Sequence, residues 1–169
     1  MAATNWTLIA SSVLSSSSGS FSFSSIPQTY QDLIVWIRPC TTNPGGGWYD
    51  GQLNTQGTGG MSGEGGYVAG APGSFGVLSG EGGTFRFPQS SNGGVATFRI
   101  RDYTRAGSHA IQSESGGIGT NFAGNNSIVE IHDAYDGATS AVTAIYFTPY
   151  SSSSFQSGST FYLYGIVKS

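Results

Sequence analysis

The stretch DLIVWIR, residues 32–38, decides the fold class. Leu33, Val35 and Ile37 alternate with Ile34 and Trp36, so an extended segment here is apolar on both faces. A strand of that kind belongs in the middle of a sheet, covered on both sides. Seven residues are too few for an ordinary helix, and Val, Ile and Trp favour strands. Upstream, Pro27 in SSIPQTY sets a turn. Before that turn Phe21 and Phe23 alternate with Ser20, Ser22 and Ser24, and Trp6, Leu8 and Ala10 alternate in the first run.

The same period of two recurs downstream. In Val95–Tyr103, Ala96, Phe98 and Ile100 face one side, with Thr97, Arg99 and Arg101 on the other. Thr84–Phe87, His109–Ser113 and Ser127–Asp133 are further predicted strands. The chain closes with AVTAIYFTPYSSSSFQSGSTFYLYGIV, residues 141–167. It holds strands at Ala141–Thr148, stopped by Pro149, and at Thr160–Val167. The first and last strands are expected to be neighbours in the core, since pairing ties down a terminal strand. Residues 43–84 read as a glycine-rich loop region of turn elements: NPGGG, GTGG, GEGG, GAPG and a second GEGG. Short strands are predicted within it at Trp48–Leu53, Tyr67–Ala69 and Phe75–Leu78. No window shows helical spacing free of Gly and Pro. About eight to ten strands with regular turn signals predict an all-β antiparallel sandwich of jelly-roll type. A strand solenoid is the rival, but no fixed repeat is visible.

A chain of 169 residues fits one domain, spanning 1–169, with a core that needs no metal or disulfide. Charged residues make up 9% of the chain and the net charge is −3, which argues against nucleic-acid binding. Gly and Ser together form about a third of the chain, a share that can signal low complexity. The aromatics, at 13%, argue instead for a folded chain of short strands and long loops. Cys40 is the only cysteine, so no intrachain disulfide or cysteine-based zinc site is expected, and it reads as an inert thiol. MAATNWTLIASS does not read as a signal peptide. No stretch has the roughly eighteen apolar residues of a membrane span, so no membrane partner is expected.

No catalytic motif stands out. His109 and His132 are the only histidines, and a zinc site needs three or four ligands. His132, Asp133 and Asp136 match no ligand spacing, and the plainer reading is a solvated strand face ending in an Asp-Gly turn. D-A-Y-D-G as a loop offers calcium two carboxylates where six or more oxygens are wanted. There is no G-x-S-x-G elbow and no marked carboxylate pair for glycoside hydrolysis. The expectation is therefore no enzyme, no metal and no cofactor. Arg86, Arg99, Arg101 and Arg105 are four of only six basic residues. Arg pairs well with interface carboxylates, so these four are candidate interface residues, against the reading of an ordinary solvent face. Trp48, Tyr49, Tyr67, Phe75, Tyr150 and Phe155 are aromatics that either dock on a partner, cap the sandwich or stack on sugars. Trp48 and Tyr49 join the interface candidates.

F-x-F-S-S-I-P-Q-T-Y-x-D-L at residues 21–33 and S-T-F-Y-L-Y-G-I at residues 159–166 resemble the two ends of a family of tailed-bacteriophage virion proteins, cyanophage proteins among them. Thr97–Tyr103 followed by Thr104–Gly107 resembles the family's middle, a strand leading into Y-x-x-A/S-G. The glycine-rich middle has no counterpart. The resemblance implies a non-enzymatic particle component, made in the host cytoplasm. Its first form is a decoration or cement protein on the outer capsid surface, bound to the major capsid protein of the same phage and stabilising the head. A tail or fibre β-domain binding host glycan is the alternative, and a capsule-degrading enzyme a third. The resemblance also implies a homotrimer. Strands apolar on both faces, such as Leu33–Ile37 and Phe161–Val167, support self-association because they carry more apolar surface than one inter-sheet core uses.

Overall fold

The computed structural model describes residues 5–38, 48–54, 61–69, 75–79, 85–88, 94–107, 109–117, 128–136, 140–149 and 153–167. Among the described residues lie twelve strands and no helix. They are β1 (Trp6–Val13), β2 (Phe21–Phe23), β3 (Asp32–Arg38), β4 (Trp48–Leu53), β5 (Met61–Ala69) and β6 (Phe75–Ser79), followed by β7 (Phe85–Pro88), β8 (Gly94–Ile100), β9 (Ala110–Gly117), β10 (Ile128–Asp136), β11 (Ile145–Pro149) and β12 (Thr160–Ile166).

The strands form an eight-stranded sheet, β1-β12-β3-β8-β9-β10-β5-β6, and a four-stranded sheet, β2-β11-β4-β7. Every pairing is antiparallel. The pairs β5–β6 and β9–β10 are insertions that dock on each other through β5 and β10 and lengthen the larger sheet. Without them, the first, eighth, third and sixth strands of the frame face the second, seventh, fourth and fifth. The chain thus crosses repeatedly between sheets, as in double-sheet Greek-key folds.

The core lies where the two sheets meet. Leu33, Val35 and Ile37 of β3, Phe98 and Ile100 of β8, and Phe161 and Leu163 of β12 supply one wall. Phe23, Leu53, Ile145 and Phe147 supply the other. Phe147 lies 6.0 Å from Phe98 and 5.9 Å from Phe161, centroid to centroid, and Phe21 stacks on Phe161 at 3.9 Å. Burying one such side chain stabilises the fold by roughly 1.5–3 kcal/mol. The expected alternation of Ala96, Phe98 and Ile100 is observed, all three being buried. Strand β8 ends at Ile100, however, and Arg101–Tyr103 form a turn.

Two expectations need correction. The first and last strands do pair, but β1 is an edge, and Trp6 and Leu8 point away from the core at 54% and 52% exposure. The cause is a bulge between Leu8 and Ala10, which turns both Ile9 and Ala10 onto the core. An extra residue of this kind reverses the alternation beyond it. The second concerns residues 43–84: the strands expected at Trp48–Leu53 and Phe75–Leu78 are present as β4 and β6, but the one expected at Tyr67–Ala69 begins at Met61, so the first GEGG lies inside β5 rather than in a turn. There β5 is paired along both sides, by β10 and β6, and backbone ladders hold glycine in a strand despite its weak preference. Cys40 and Tyr150 lie outside the described residues.

Candidate functional site

The signature FSSIPQTYxDL meets the Tyr103 turn and the C-terminal strand in one knot. Ile26 is buried and its amide donates to the Thr143 carbonyl at 3.0 Å. The Pro27 carbonyl accepts a hydrogen bond from the Tyr103 hydroxyl, which also accepts from the Tyr30 amide at 3.3 Å. Gln28 Nε2 donates to the carbonyls of Ile26 and Val142, each at 2.9 Å. Tyr30 lies against Gly165 so closely that a Cβ there would come within 2.2 Å of the ring. Glycine is thus the only residue this approach allows without movement. Burial pushes the Tyr103 phenol up from its ordinary value, against the hydrogen bonds that lower it.

Asp32, the one charged residue of the signature, is buried. Its Oδ2 accepts from Arg99 Nη2 at 2.6 Å and Nε at 3.0 Å, and its Oδ1 from the Asp102 amide at 3.0 Å. Asp102 has φ +47°, a left-handed conformation that Asp tolerates, and the carboxylate fixes that amide. The signature therefore serves folding: it joins β3, β8 and β12 at one end of the sandwich.

Of the four arginines expected at an interface, Arg99, Arg101 and Arg105 lie at and just beyond the end of β8, and Arg86 lies on β7. Arg99 is 44% exposed and occupied by Asp32. Arg101 Nη2 donates to Gln112 Oε1 at 2.8 Å. The Arg105 amide donates to the Asp102 carbonyl, and its own carbonyl is 3.0 Å from buried His109 Nε2. Arg86 lies on β7 opposite Asp50, in the other sheet. Trp48 and Tyr49 lie on β4, the strand expected at Trp48–Leu53, registered with Pro88 and Phe87. Tyr67 and Phe75 likewise lie on β5 and β6. Phe155 is fully buried, edge-on to Phe161 at 5.2 Å, and caps the core. Strand β10 runs through Asp136, so His132, Asp133 and Asp136 sit in continuous strand and not in a calcium-type loop. No group of three or more His, Cys, Asp or Glu placed to hold a metal occurs among the described residues.

What the structure does bring together is a row of rings on the outer face of the eight-stranded sheet. Trp6 is 5.9 Å from Tyr164, Tyr164 is 6.3 Å from Tyr162, and Tyr162 is 5.4 Å from Trp36. The three inner members are half-buried, and Trp6, Leu8 and Val13 extend the face to the open edge of β1. An ion pair, Asp32–Arg99, lies at the margin of this face. A row of this kind suits contact with another apolar surface. Its sequence signal was the apolar content of both faces of DLIVWIR and TFYLYGI; the outward facing of Trp6 and Leu8 beside it was hidden by the bulge. A second unforeseen residue is Asn54 (φ +56°). Its side chain accepts from the Thr143 amide at 2.6 Å and donates to the Ala141 carbonyl at 2.8 Å, tying the end of β4 to the segment before β11. No protein-family model, curated protein or solved structure matches the chain.

Proposed function

We propose that the chain is a non-enzymatic structural protein of a tailed-phage particle, a decoration or cement protein that docks on the major capsid protein lattice from outside and stabilises the head. The eight-strand frame reads as a jelly roll. The observation that carries the docking role is the outer aromatic row, Trp6–Tyr164–Tyr162–Trp36. It lies outside a core already complete between the two sheets. Aromatic side chains bury large area at low entropic cost and are favoured at interfaces. The particle and the capsid partner rest on the resemblance of residues 21–33 and 159–166, which also implies grouping in threes. Many copies of a modest contact hold firmly through multivalency. Quantitative mass spectrometry of purified particles tests the reading. A copy number comparable to that of the capsid subunits, or a simple fraction of it, is expected. A few copies per particle would overturn it in favour of the tail. The same row of rings also suits sugar stacking, so a tail β-domain that binds host glycan is the second reading, and binding on a glycan array would support it.

A further inference from the structure

We propose that β1 is a self-association edge, which pairs antiparallel with β1 of a second copy across a two-fold axis lying between Ile9 and Ala10. Strand β1 ends the order of the larger sheet, and β12 is its only strand partner among the described residues. At one end the Asn5 carbonyl accepts from Val167, and at the other the Leu14 amide donates to Ser159, both toward β12. Backbone direction alternates along a strand. Counting inward from both ends, Thr7, Ile9, Ala10 and Ser12 also face β12, with the bulge between them. The backbone groups of Trp6, Leu8, Ser11 and Val13 therefore face the open edge. The same four side chains are exposed.

This pattern is symmetric about its own midpoint. A two-fold axis there sets Trp6 opposite Val13 of the second copy and Leu8 opposite Ser11, all on the outer face and all with free edge-facing backbone groups. The bulge that protects many edges here sits at the axis, where it meets its own copy and leaves the register intact on either side. Residues 6–13 contain no charge and no proline, the two other devices that blunt an edge. Pairing would join two aromatic rows into one continuous face. An edge of this length with its flanking side chains buries on the order of 600 Å² per copy, the lower bound for a specific interface. A two-fold, self-complementary contact is the commonest form of homo-oligomer. The proposal is independent of any phage particle and of the trimer the resemblance implies, since an edge contact can also join two trimers.

Light scattering of the purified full chain at micromolar concentration, with thermal unfolding measured in parallel, tests it through two variants. Leu8→Lys with Ser11→Lys sets like charges opposite each other in each pair. Leu8→Lys with Ser11→Glu sets opposite charges there. Both positions are exposed, so both variants should unfold near the wild-type temperature. The expected result is an even-numbered wild-type assembly whose mass is halved by the Lys–Lys variant and kept by the Lys–Glu variant. A wild-type monomer or trimer, or an unchanged mass in the Lys–Lys variant, would overturn the pairing. Halving by both variants would overturn this register.

Discussion

Strand β12 has two faces of nearly equal apolar content and opposite use. Phe161, Leu163 and Gly165 turn inward and are buried; Tyr162, Tyr164 and Ile166 turn outward and are half-buried. The inner side chains are fixed by packing against the second sheet. The outer rings pack sideways along the row, Tyr164 on Trp6 and Tyr162, and Tyr162 on Trp36. Aromatic content alone therefore does not mark the core; the presence of a facing layer does. A ring without a facing layer is available to a partner.

Breaking the inner face should have the largest effect. Phe161→Ala removes a fully buried ring that touches Phe21, Phe147 and Phe155. A loss of about 3–5 kcal/mol is expected, visible as a fall in the midpoint of denaturant unfolding. Gly165→Ala places a methyl in the Tyr30 ring, an overpacking change that costs about 1–3 kcal/mol. Tyr30→Ala in the same chain should recover part of that loss, because the ring is what the methyl strikes.

Tyr103 sharpens the contrast through pH. Its phenol titrates above the ordinary value because it is buried, so the folded state holds the proton more tightly than the unfolded chain. The corresponding stability is fully present below pH about 10 and is lost as pH rises from there through the folded value. Tyr103→Phe should cost about 1 kcal/mol at neutral pH through the lost hydrogen bond to Pro27 and should flatten the alkaline fall. Denaturant midpoints measured from pH 8 upward read both effects.

The outer face should give the smallest change. Tyr164→Ser leaves the inter-sheet core untouched and is expected to cost less than about 1 kcal/mol. A loss as large as that of Phe161→Ala would erase the distinction between the faces.

The legibility of these features followed the range of the forces behind them. The two faces of β8 were readable because alternation is local and the strand is regular, and β3 was readable as a central strand from its two apolar faces. The pairing of first and last strands was readable from their shared apolar character. The facing of Trp6 and Leu8 was not, because a one-residue bulge at Ile9 depends on how β1 meets β12. The glycine-rich β5 was hidden because its strand state comes from two neighbours and not from its own side chains. Arg99 was legible as an unusual charge, but its partner Asp32 is 67 residues away and no local pattern joins them. The signature at residues 21–33 was legible as a motif, and only the fold reveals that its residues hold the chain to itself.

The most direct test of the proposed docking role is binding to phage particles that lack this chain, compared between the wild-type chain and Tyr162→Ser with Tyr164→Ser, with thermal unfolding of both measured alongside. The expected result is near-equal unfolding temperatures and at least tenfold weaker binding by the variant, or about 1.4 kcal/mol. Wild-type binding by a variant stripped of both rings would contradict the claim that the outer face is the docking surface.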